Sequence, residues 1–222
     1  MPKKLLTNNH SEQRIMPVTD GLICWYDGRD VQMGNIWNNR VENGLNISIF
    51  NSFSQMITGT SLYFNKSISN MYTRLDLTSL NLTSFTIDIY LRPDVWGSYA
   101  FGDWWTDGKN GAFYGFSSNN FMFNNYFTTK STNITSNVEG KKTHRCITHD
   151  KTETSVFLEG EKLNATPSRN STDFLQRFAI SNMNSGMSHF SGEVYSIKIY
   201  NRALTDEEIE QNYLYEQSIE RE

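Results

Sequence analysis

Cysteine is nearly absent from this chain. Only Cys24 and Cys146 occur in 222 residues, too few for a scaffold held by disulfides, and both are read as small buried hydrophobes. Long apolar runs are missing as well. No stretch approaches the ~20 apolar residues of a membrane span. The first 16 residues carry Lys3 and Lys4 but lack the ~7–15-residue apolar core of a signal peptide. The expectation is a protein made without a signal peptide and folded in a cytosol, with a virion or the cell exterior left open as its destination. A basic block is also lacking: the formal net charge is −4, and Lys3-Lys4 and Lys141-Lys142 are isolated pairs. Nucleic-acid binding, which leaves a basic stripe, is not expected, nor is a membrane partner. No internal repeat, βαβ alternation or Gly-rich phosphate loop appears, and no His/Cys/Asp cluster has metal-ligand spacing.

What is present is aromatic and turn-rich. The 11 Tyr, 14 Phe and 5 Trp can each bury roughly 150–250 Å², which compensates for an apolar content of only 37%. Strand signals begin near Pro17. Residues 1–16 read as an N-terminal arm or linker and residues 17–222 as one domain. The clearest period-two segment is residues 85–91, with Phe85, Ile87, Ile89 and Leu91 on one face and Thr86, Asp88 and Tyr90 on the other. Pro93 ends it by removing a ladder donor. Ala112–Phe116 and Phe121–Phe127, split by four polar residues, read as a hairpin. Residues 143–149 and 155–158 are strands, and Glu159-Gly160-Glu161 is a hairpin tip. A helix of about three turns should follow the last strand. Thr205 and Glu208 form a capping box, Leu204 and Ile209 a staple, and Asp206 to Glu208 suit the positive end of the dipole. It is expected to pack on an end of a sandwich.

The C-terminal segment Phe190-Ser191-Gly192-Glu193-Val194-Tyr195-Ser196-Ile197-Lys198-Ile199-Tyr200-Asn201-Arg202-Ala203-Leu204-Thr205 resembles the closing motif of laminin-G-like, concanavalin A-like jelly rolls. Asp20–Asp27, Ser61–Phe64, Phe85–Pro93 and the His144–Lys162 hairpin resemble further family segments in the family's order, over residues 17–215. At Glu159 this chain departs from the usual Asn, which alters the turn chemistry. The resemblance implies an all-β fold: a two-sheet antiparallel β-sandwich (jelly roll) with one short C-terminal helix. In that motif Gly192 should let its strand pass close to a neighbour. Fold alone does not give activity.

Hydrolysis of a glycosidic bond needs two carboxylates roughly 5–9 Å apart. Glu159 and Glu161 have suitable spacing but sit on a turn tip, so no catalytic residue is expected. His144 and Cys146 share a strand face, which suits a nucleophile pair or, as the plainer reading, a buried Cys beside a satisfied His. No cofactor is expected. The resemblance leaves a rim calcium ion open, with Asp27, Asp30, Asp103 and Asp107 as rim carboxylates, against simple turn-stabilising roles. The candidate ligand-binding residues are Trp96, Asp103, Trp104, Trp105 and Asp107. Flat aromatics stack on sugar faces, neighbouring carboxylates bind hydroxyls, and adjacent Trp residues on a strand must point to opposite faces. The alternative is local packing or a subunit interface.

The expected function is a non-enzymatic, lectin-like module. It would recognise a glycan, a cell-surface polysaccharide or other virion proteins, as part of a phage structural protein (tail, baseplate or capsid adhesin). A purely structural virion subunit with an aromatic packing surface is the second reading, an atypical glycoside hydrolase the third. A homo-oligomer is compatible with the first two.

Overall fold

The computed structural model describes residues 15–32, 35–50, 57–65, 72–94, 101–102, 112–117, 120–125, 128–133, 139–151, 153–164, 177–180 and 190–219. In chain order the strands are β1 (Leu22–Asp27), β2 (Val31–Gln32), β3 (Ile36–Trp37), β4 (Ile47–Phe50), β5 (Leu62–Phe64), β6 (Tyr72–Asp76), β7 (Phe85–Pro93), β8 (Phe101–Gly102), β9 (Ala112–Ser117), β10 (Asn120–Asn125), β11 (Thr128–Asn133), β12 (Thr143–His149), β13 (Thr154–Leu158), β14 (Glu161–Lys162), β15 (Arg177–Ile180) and β16 (Gly192–Tyr200), and the helix is α1 (Asp206–Ser218). The hairpin expected over 112–127 is β9–β10; β11 extends it to a third strand that the polar run Thr128–Asn133 did not announce.

Among the described residues these strands make two antiparallel sheets. One has seven strands in the order β1-β16-β7-β12-β13-β14, with β5 also on β16; the other runs β11-β10-β9-β8-β15-β6-β4-β3-β2. Alternation decides which side chains enter the space between them. Phe85, Ile87, Ile89 and Leu91 of β7 join Ile197 and Ile199 of β16, Ile147 of β12, and Ile47, Ile49, Leu75 and Phe178 of the second sheet in one core. Each such buried aliphatic contributes roughly 1.5–3 kcal/mol over an exposed one. Trp37 is fully buried there, and its indole N–H donates to the Asp27 carbonyl at 2.7 Å, so a large ring enters the core without an orphaned donor.

The opposite face of the seven-stranded sheet is buried too, because α1 lies across it. This corrects the expected packing of the helix on an end of the sandwich. The cause is that Asp88, Cys146, Phe157, Lys198 and Tyr200 all project outward and need cover. Ile209 and Leu204 pack with Val18, Cys146, Phe157 and Tyr200 in a second, smaller core. The capping box is formed: Glu208 N–H donates to Thr205 Oγ1, and Glu208 Oε2 accepts from Thr205 N–H. Gly192 pairs with Pro93 at φ +147°, where an added Cβ would lie 2.2 Å from the Arg92 carbonyl oxygen. This is the close approach expected at that position. Glu159 takes the positive φ (53°) that Asn tolerates better; its carboxylate accepts the His144 N–H at 3.1 Å, which offsets part of the strain.

Candidate functional site

Beneath α1 lies a wholly buried polar network. Asp88 Oδ2 is 2.9 Å from His144 Nε2 and accepts from Asn212 Nδ2 at 3.0 Å, while Asp88 Oδ1 is 3.3 Å from Lys198 Nζ, which lies 2.5 Å from Glu216 Oε1. Asn212 also donates to Tyr200 OH and accepts from Val18 N–H, and Tyr200 OH donates to Val18 O. Burial opposes the Asp88 charge, but Lys198 and His144 outweigh it and hold the carboxyl well below the usual range. None of Asp88, His144, Lys198 and Asn212 is exposed. The network therefore ties helix, N-terminal segment and sheet together and has no access to a ligand. Burial raises the Cys146 thiol far above its ordinary value, with Asp88 adding to the effect, so a nucleophilic Cys146–His144 pair is not formed. His144 turns to Asp88 instead.

Where α1 stops covering the sheet, the same outward face changes character. Register aligns Tyr63 of β5, Glu193 of β16 and Arg92 of β7 in one row. Arg92 Nε lies 2.9 Å from Glu193 Oε2, and Arg92 Nη2 is 4.0 Å from Asp94 Oδ1. Tyr63 OH donates to Asp94 Oδ2 at 2.9 Å. A register shift between Val194 and Ser196 inserts Tyr195 as an extra residue, and this bulge re-aims the strand. Tyr195 OH then donates to Glu193 Oε2, while the Lys142 ammonium lies 5.0 Å from the Tyr195 ring centre. Arg92 and Asp94 keep side-chain exposures of 38% and 29%, so this cluster, unlike the network, meets solvent. Burial and the neighbouring carboxylates raise both phenols, Tyr63 through Asp94 and Tyr195 through Glu193. They stay protonated donors at neutral pH, which disfavours Tyr195 as a nucleophile.

Trp96, Asp103, Trp104, Trp105 and Asp107 lie outside the described residues. The other two rim carboxylates are described, and they are engaged by cations already. Asp27 Oδ2 meets Arg29 Nη2 at 2.6 Å and Arg40 Nη1 at 3.1 Å, and Asp30 Oδ2 meets Arg40 Nε at 2.5 Å. A calcium ion there would have to displace two guanidinium groups. Among the described residues no three His, Cys, Asp or Glu side chains gather in a metal-binding group.

The two-sheet sandwich and its closing strand–helix unit agree with a sequence match over residues 67–210 to the family model described as the concanavalin A-like lectin/glucanases superfamily, laminin-G type. The chain belongs to that superfamily. No curated protein matches it in sequence. Solved structures of similar shape include a Trypanosoma rangeli sialidase in complex with sialic acid, with a TM-score of 0.71 and 19% identity over 90% of this chain and 34% of that one. Another is domain 4 of an extracellular arabinanase from Geobacillus stearothermophilus in complex with arabinotriose, with a TM-score of 0.60 and 17% identity over 86% and 98%. A third is a botulinum neurotoxin type C structure, whose cell entry depends on two ganglioside molecules, with a TM-score of 0.66 and 13% identity over 89% and 51%. At these identities the likeness is one of fold, and this chain spans about a third of the sialidase's length.

Sequence reasoning used Tyr63, Arg92 and Glu193 only as fold markers. Their meeting depends on the register of three strands distant in the chain, which no local pattern encodes. The one local signal was Arg92-Pro93, a charged residue at the end of an otherwise apolar-alternating strand.

Proposed function

We propose that the protein is a non-enzymatic carbohydrate-recognition module of the superfamily. The observation that carries this reading is the end of the seven-stranded sheet that α1 does not cover. There, half-buried Tyr63, Arg92, Asp94 and Glu193 offer donors, acceptors and an aromatic ring at the surface, the mixture that sugar hydroxyls and sugar faces require. Family membership and fold neighbours solved with sialic acid or arabinotriose support it. Trp96, Asp103, Trp104, Trp105 and Asp107 remain proposed ligand contacts. Trp96 follows Asp94 by two residues in the chain. Residence in a phage-type particle belongs to the same proposal and rests on the family resemblance together with the composition rich in Asn, Ser, Thr and aromatics.

The test is a glycan array probed with the wild-type protein and with a Trp104→Ala/Trp105→Ala variant of unchanged thermal melting. Wild-type binding supports recognition, and its loss in the variant assigns the tryptophans to the site. A blank wild-type array together with stable self-association would favour the structural-subunit reading.

A further inference from the structure

Among the described residues, two cations and two carboxylates meet at the end of the sheet that α1 does not cover. Arg92 sits between Glu193, at 2.9 Å, and Asp94, at 4.0 Å, and Lys142 stands over Tyr195, which is itself bonded to Glu193. The charge of these four described side chains therefore sums to zero. A ligand carboxylate approaching Arg92 would meet two carboxylates at the same distance range, and like-charge approach is unfavourable. Arg92 also fills the position between Asp94 and Glu193 that a bound cation would otherwise take.

Hydrogen-bonding capacity is left over. Among the described residues Arg92 Nε–H finds no well-aligned hydrogen-bond acceptor, and the hydrogen bonds from Tyr63 and Tyr195 run to Asp94 Oδ2 and Glu193 Oε2 rather than to the other oxygen of each carboxylate. Beside the bulge, Ser196 Oγ has no hydrogen-bond partner among them either, although Ser196 is fully buried. Carboxylate acceptors beside a planar guanidinium donor suit a pair of neighbouring hydroxyls, each of which both donates and accepts.

We propose that this cluster is the subsite for a neutral glycan bearing vicinal hydroxyls, and that it works without a metal ion. The inference rests on the carbohydrate-recognition reading and narrows it: uncharged sugars bind here, acidic sugars do not. Arg92 and Glu193 clasp the diol, and Tyr63 offers its ring beside them.

The experiment is an array of matched neutral and sialylated oligosaccharides, arabinotriose, lactose and 3′-sialyllactose among them. It is probed with the full chain and with Arg92→Ala, Glu193→Gln and Tyr63→Phe, with and without EDTA. Each variant's thermal melting is checked, and Glu193→Gln keeps the shape of the site should Arg92→Ala lose its fold. The expected result is binding to neutral glycans, unchanged by EDTA and weakened about tenfold or more by Arg92→Ala and Glu193→Gln. Binding confined to sialylated glycans, or abolished by EDTA, would overturn this inference and leave glycan recognition standing. Neutral-glycan binding that both variants retain would overturn the location of the subsite. No binding to any glycan would overturn both readings.

Discussion

Lys198 Nζ lies 3.3 Å from Asp88 Oδ1 across two adjacent strands, and neither side chain has any exposure to solvent. With Glu216 2.5 Å from the same ammonium, the helix is fastened to the sheet through buried charge. Removing one partner leaves the others uncompensated. Lys198→Met should cost about 3–5 kcal/mol, measured as a drop in the denaturant midpoint at constant m-value. A loss below ~1 kcal/mol would mean that the charges are hydrated in solution.

The same cluster sets a pH window. The folded Asp88 carboxyl is depressed, so its stabilisation is complete above the unfolded value of ~3.9 and is lost as pH falls below it. Burial opposes the Lys198 charge, but Asp88 and Glu216 outweigh it and raise the ammonium above its ordinary range. That stabilisation is complete below ~10.4 and lost as pH rises further. Asp88→Asn should therefore flatten the acid limb of a plot of melting temperature against pH. An acid limb of unaltered steepness would show that other carboxylates govern it.

Gly192→Ala would bring a Cβ to 2.2 Å from the Arg92 carbonyl oxygen, at a φ that side chains rarely adopt. The expected loss is about 1–3 kcal/mol. Because Arg92 and Glu193 flank this contact, weaker glycan binding should accompany the lower melting temperature.

Thr205→Ala removes half of the capping box, at about 1 kcal/mol, or roughly 2–4 °C in melting temperature for a chain of this size. Ser at this position should restore most of the loss.

Both cysteines are free and buried, and burial raises both thiols. A thiol reagent such as DTNB should titrate neither Cys24 nor Cys146 in the native protein and both in denaturant. Rapid labelling under native conditions would reveal an opening of the sheet–helix packing.

Much of the fold was legible because period-two alternation is local. Residues 85–91 announce a strand, and Thr205 to Ile209 announce the start of the helix. The outward face of that strand was not. Thr86, Asp88 and Tyr90 look solvent-facing by pattern, yet all three are buried, because their cover and partners lie more than 100 residues away: Lys198 and Asn212 for Asp88, the Arg202 carbonyl for Thr86, Gln217 for Tyr90. The uncovered cluster was hidden for the same reason. Tyr63, Arg92 and Glu193 become neighbours only when β5, β16 and β7 find one register.

β16 pairs with β1, β5 and β7, so the strand nearest the C-terminus is the one that joins β1 and β5 to the rest of the sheet. During synthesis at ~5–20 residues per second, the earlier strands leave the ribosome many seconds before the segment that joins them. Until Gly192–Tyr200 emerges, the edges of β1 and β7 that face it lack their native partner, the kind of open edge on which another chain can pair.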